Sequence, residues 1–267
     1  SSGDVAQVVG PNQQDGITGS NGTPGDPDLD ALSGFGTRDA AILEFDFVPK
    51  GGLVSFRYVF ASDEYNEYVN TLYNDVFGFY VNGVNCATVG DPPKPVSVDS
   101  INNGNPYGVG TPSNPELYRN NDLADGGGSI NTEMDGLTTV LGCVANVNAN
   151  QTNHMRMAIA DASDSALDSV VFIKADSLTT CNEDGLNVIA PTGVASGVIH
   201  GAEPIVEGLI PGTGATVHDL NCAQVVPLED AIDALIAPSA PAAAPAAAKP
   251  APASPSASLL KPMKGFF

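Results

Sequence analysis

Apolar and polar side chains alternate with a period of two through much of the first 180 residues. In LEFDFVP, Leu43, Phe45 and Phe47 share one face while Glu44 and Asp46 share the other. In LVSFRYVF, Val54, Phe56, Tyr58 and Phe60 point to one side. In DVFGFYVNG, Phe77, Phe79 and Val81 alternate with Gly78 and Tyr80. Period two places side chains on the two faces of an extended strand, so these runs predict half-buried strands. Lys50-Gly51-Gly52 between the first two predicts an antiparallel hairpin, and Asn82-Gly83 is a strong two-residue turn signal. Further strands are expected over 137–147, 154–161 and 169–175. Residues 1–40 read as loops with short strands, and 90–135 as long loops rich in Pro, Asn and Gly. The expected fold is therefore all-β: a jelly-roll-like β-sandwich with long loops over residues 1–179.

Beyond that body the pattern weakens. Residues 180–237 read as a small extension with β-like pieces and a short helix over 227–237, where Ile232, Leu235 and Ile236 share a face and Glu229 and Asp230 suit the first turn. Residues 238–255, PSAPAAAPAAAKPAPASP, are too rich in proline for a helix and favour an extended spacer. The last segment, SASLLKPMKGFF, is apolar again.

Charge narrows the partners. The chain carries 31 acids and 10 bases, a formal charge of -21. That sign argues against nucleic acid, whose binders present basic surface, and against docking on anionic lipid. No apolar run reaches the ~20 residues of a membrane span. The opening SSGDVAQ reads as a mature secreted product whose signal peptide has been removed. Four cysteines, Cys86, Cys143, Cys181 and Cys222, fit an oxidising compartment. They include no CxxC, and three scattered histidines (His154, His200, His218) give zinc little to bind. Of three possible connectivities, Cys86–Cys143 with Cys181–Cys222 keeps one bridge in each half of the chain. Free buried thiols are the alternative.

The acids cluster beside expected strand ends. GDPDLD sets Asp26, Asp28 and Asp30 at alternate positions, as at the start of a calcium loop. It is not an EF-hand, since Ala31 and Thr37 stand where that loop needs Gly and Glu. ASDEYNEY supplies Asp63, Glu64 and Glu67, YNDVF supplies Asn74 and Asp75, and IADASDSALDS supplies Asp161, Asp164 and Asp168. Clustered like charges repel unless a cation or hydrogen bonds offset them, and calcium accepts six to eight oxygens. Ca2+ on some of these side chains is the expected cofactor, against the plainer reading of solvated turn residues. No catalytic signature appears: there is no GxSxG, Walker A, HExxH or Rossmann fingerprint, and no tryptophan platform for sugar cleavage. No enzymatic activity is expected.

The runs TRDAAILEFDFVPKGGLVSFRYVFASDEYNEYVNTLYNDVFGFYVNG, DSINN and MAIADASDSALDSVVFIKADSL, together and in order, resemble the choice-of-anchor L domain over about residues 10–178. The resemblance implies a secreted or surface-displayed bacterial β-domain coupled to a C-terminal anchoring or sorting signal, and it supplies no catalytic residues. Two readings follow. In the first the protein is a structural subunit of an extracellular filament or matrix polymer, other copies of itself being its partners. Its C-terminal tail (Leu259, Leu260, Lys261, Lys264, Phe266, Phe267), or its N-terminal segment, docks on a neighbour. In the second it is a calcium-dependent surface adhesin or lectin-like module, with a glycan or protein ligand on its loops.

Overall fold

The computed structural model describes residues 1–180, apart from Asp15 and Asp176, together with the backbone of residues 181–182 and of Gly185–Val188. Two antiparallel sheets pack face to face. The first has the order β1 (Thr37–Phe47), β10 (Asn153–Ala162), β3 (Val76–Val81), β4 (Val84–Asn85). The second is built on β2 (Leu53–Ser62), which has two strands along each edge. On one edge lie β11 (Ser169–Ile173) and β12 (Thr179–Asn182), the latter continued by β13 (Gly185–Val188). On the other lie β9 (Leu141–Asn146) and β8 (Gly136–Thr138), the latter continued by β7 (Tyr118–Asn120). A small ribbon of β5 (Thr88–Val89) and β6 (Lys94–Pro95) stands apart. The chain is an all-β sandwich, as the alternation required.

The core is the inward face of that alternation. Val54, Phe56, Tyr58 and Phe60 of β2 and Phe77, Phe79 and Val81 of β3 are all buried. Across the sheets the Phe56 and Phe79 ring centroids lie 3.8 Å apart, and Tyr58 and Phe77 lie 5.3 Å apart. Met155 and Ile159 of β10 and Phe47 of β1 complete the layer. Asn82-Gly83 turns β3 into β4 with positive φ at both residues (50° and 82°), as a two-residue hairpin needs.

The structure corrects three expectations. β1 and β2 form no hairpin: β1 pairs with β10 and β2 with the second sheet, so Lys50-Gly51-Gly52 carries the chain across the core. Both strands present aromatic faces, and apposing them buries both, which pairing edge to edge would not. The run 137–147 divides into β8 and β9, because Thr139 leaves β2 and donates its amide to the Leu117 carbonyl (2.6 Å). GDPDLD is not a loop. Residues Pro27–Ser33 form a helix, α1, capped by Asp26, whose side chain accepts from the amides of Asp28 and Leu29. Pro27 fills the first helical position, and Gly34 ends the helix at φ 81°. Leu29 packs with Val76, Ala158 and Ala160, so α1 covers the outer face of the first sheet. β10 is thus buried on both faces toward its end, where alternation lapses.

Cys86 and Cys143 form a disulfide with a Cα–Cα distance of 5.3 Å. It joins the chain just after β4 to the middle of β9, tying the sheets together. Cys222 and the helix expected over 227–237 lie outside the described residues. The bridge closes 57 residues of sequence, and chain-entropy reasoning assigns such a loop about 4 kcal/mol. Cys86→Ser with Cys143→Ser is expected to lower the unfolding free energy by about that much in urea titration.

Candidate functional site: a buried carboxylate nest

At one end of the sandwich the family-like motifs converge. Asp63 follows β2, Asp75 precedes β3, Asp161 lies near the end of β10 and Asp168 precedes β11. These four are 0–3% exposed, and Glu64 is 1% exposed. Burying ionised carboxylates is costly without partners, so each oxygen's environment matters.

Two of them act as latches. Asp63 accepts from the amides of Ile17 (2.6 Å) and Asp135 (3.1 Å), pinning the N-terminal segment and the residues before β8 to the end of β2. Asp75 accepts from the Ala162 amide (2.8 Å) and the Ser169 hydroxyl (2.7 Å), joining β3, β10 and β11. Their oxygens are satisfied. The others are not. Asp168 accepts from the Gly19 amide (2.7 Å) through one oxygen, and its other oxygen has no hydrogen-bond partner. One oxygen of Glu64 and both oxygens of Asp161 likewise lack one. The Ser2 hydroxyl borders Asp161 but donates to the Ser169 carbonyl. The N-terminal segment closes over the group: Ser2 donates its amide to the Ser169 carbonyl (2.9 Å), and a Cβ at Gly3 would lie 1.8 Å from an Asp168 oxygen. That segment therefore packs against its own body.

Electrostatics follow from burial. Desolvation, with Asp135 and Asp168 nearby, pushes Asp63 up to about 8. It raises Asp168 to about 6, with Asp39 adding repulsion. Burial first raises Glu64, Asp75 and Asp161; the next cause is the charge of Asp164 on Glu64, of Glu64 on Asp75 and of Asp75 on Asp161. Among the described residues no Lys or Arg pairs with these five. Burial and mutual repulsion thus disfavour full ionisation of the group.

The remaining expected ligands lie elsewhere. Asp26 and Asp28 pair with Arg156, which also meets Glu44 (2.9 Å) and lies over the Tyr80 ring. Asp30 accepts from the amide and hydroxyl of Thr37, which hold its pKa down. Protein groups thus engage all three acids, one Arg156 being shared with Glu44, so the alternate spacing serves a helix cap and an ion-pair cluster. Asn74 spends its side-chain amide on Asp99 and Ser33. Asp164 alone of these borders the nest: it accepts from the Ala166 amide, and its charge acts on Glu64 and Asp75. Sequence reasoning missed Asp39 and Asp135, buried acids of the same end, and it missed Asp122 and Asp125, which join Glu67 in a triad whose oxygens lie within 4.8 Å of one another. No local signal joins those three, since 55 residues separate Glu67 from Asp122.

The arrangement defines a disulfide-braced β-sandwich with five buried carboxylates, Asp63, Glu64, Asp75, Asp161 and Asp168, at one end. The chain matches the family model of the choice-of-anchor L domain over residues 1–179 and belongs to that family. The family suggests a secreted or cell-surface bacterial protein. No curated protein and no solved structure matches the chain. Among the described residues no helix is long and apolar enough to cross a membrane.

A raised carboxyl pKa in the native state stabilises the fold below the unfolded value of about 4, and that contribution fades as pH climbs through the folded values. In chelator the melting temperature is expected to fall between about pH 4 and about pH 8, the upper value being that of Asp63. Asp161→Asn removes a charge whose oxygens accept no hydrogen bond. It is expected to raise the melting temperature at pH 8 in chelator, measured by calorimetry.

Proposed function

We propose that this protein is a non-catalytic structural subunit of an extracellular polymer, with its C-terminal tail docking on the acidic body of a neighbouring copy. The observation that carries this reading is charge segregation. All 31 acids lie within residues 1–237, whereas residues 238–267 hold three lysines, Lys249, Lys261 and Lys264, and no acid. Leu259, Leu260, Phe266 and Phe267 would bury apolar area as Lys261 and Lys264 meet carboxylates. An extended Pro/Ala spacer gains about 3.1 Å per residue and sets the reach. A head-to-tail contact that does not close propagates a filament. These tail residues lie outside the described ones, so support comes from the sequence. Deleting 238–267 is expected to abolish filaments in electron micrographs while leaving a folded monomer. Filaments from the deleted form would overturn the reading.

Calcium in the nest is part of the same proposal. A divalent ion there would replace protons on Glu64, Asp161 and Asp168 and give their unpartnered oxygens a ligand. Calcium binding to the native state alone raises stability by linkage, and it competes with protons. Added calcium is expected to raise the melting temperature more at pH 8 than at pH 5, and Asp161→Asn to remove that difference.

A second reading, a surface adhesin, is favoured by the loops around Tyr68. Tyr107 is 77% exposed and Tyr68, Leu72 and Val109 are 39–45% exposed. Tyr68 packs edge-on to Tyr73 and feels the charge of Glu67. Exposed aromatics beside acids suit a glycan or a protein ligand. Binding on a glycan array that is lost in Tyr107→Ala would select this reading.

A further inference from the structure

Glu67, Asp122 and Asp125 lie apart from the nest. Glu67 belongs to the turns after β2, and the two aspartates to the turn after β7. Each offers one carboxylate oxygen, and these oxygens all lie within 4.8 Å of one another. Asp122 is wholly buried. One of its oxygens accepts from the Ala124 amide at 2.7 Å, and the other has no hydrogen-bond partner. A buried carboxylate oxygen with nothing to accept is a destabilising feature unless a ligand completes it. Asp125 is held in place from behind. It accepts from the Asn66 side-chain amide at 3.0 Å, and that same amide donates to Asn120 at 3.1 Å. The Tyr118 hydroxyl in turn donates to the Asn66 carbonyl oxygen. Second partners of this kind fix a ligand before the ion arrives.

The donors suit a hard cation. Calcium takes carboxylate oxygens at about 2.3–2.6 Å in flexible geometry with waters completing the shell, and three carboxylate oxygens within 4.8 Å of one another are compatible with it. We propose that Glu67, Asp122 and Asp125 bind a calcium ion that staples the turns after β2 to the turn after β7. The site shares no ligand with the nest, so either can fail alone.

Terbium is a direct probe on the full chain, because it replaces calcium and is excited through nearby tyrosine. The chain has no tryptophan, and Tyr118 sits two hydrogen bonds from Asp125. Tyrosine-excited terbium emission is expected to saturate and to be reversed by excess calcium. Glu67→Gln and Asp125→Asn, each taking one charged ligand, are expected to weaken the apparent affinity at least about tenfold, with unchanged circular dichroism, and Asp161→Asn to leave it unchanged. Asp125 is exposed, so its variant keeps the test open should Glu67→Gln misfold. Absence of terbium and calcium binding by the unaltered protein overturns the proposal. So does emission that disappears in Asp161→Asn and persists in Asp125→Asn.

Discussion

The fold depends on the contact between β2 and β3 across the sandwich. Phe56 meets Phe79 and Tyr58 meets Phe77, and β2 carries a pair of strands on each edge. Aromatic pairs of this kind combine large apolar burial with preferred geometry. Because β2 is bracketed on both edges, a change in its register would move the inner face of the whole second sheet to solvent. The Cys86–Cys143 bridge fastens the same two layers covalently.

Against that apolar seam stands the acidic end. Asp63 and Asp75 are held by backbone amides and a hydroxyl, so their charge organises chain ends that would otherwise lack partners. Asp161, Glu64 and Asp168 add oxygens that hydrogen bonding leaves unfilled. The domain accepts local repulsion where its segments meet. The occupant of that place, proton or metal, thereby becomes part of the folded state.

Strand faces were legible because period two is a local property. Val54, Phe56, Tyr58 and Phe60 lie where the alternation sets them, and Asn82-Gly83 turns as its residue types dictate. Sheet membership was not legible at Lys50-Gly51-Gly52, since a turn signal does not say whether the chain returns beside itself or crosses the core. Helix α1 was hidden by an acid spacing that also fits a cation loop, although Asp26-Pro27 and Gly34 are cap signals. In the candidate site, Asp63, Glu64, Asp75, Asp161 and Asp168 were singled out by clustering. Their burial and their separation from Asp26, Asp28 and Asp30 required tertiary contacts. Asp122 carried no signal, because Glu67 lies 55 residues away and joins it only in the folded chain.

The closing of the amino-terminal segment has a consequence for assembly in time. Ser2 bonds to Ser169, Gly19 to Asp168, and Thr37 faces Ala162, so early residues wait for partners some 125–170 positions downstream. A chain emerging amino end first has neither sheet complete until β10 and β11 arrive. Such long-range pairing makes folding slow, with unpaired strand edges exposed meanwhile. A chain interrupted before residue 169 would lack β11 and β12, leaving one edge of β2 without its partners.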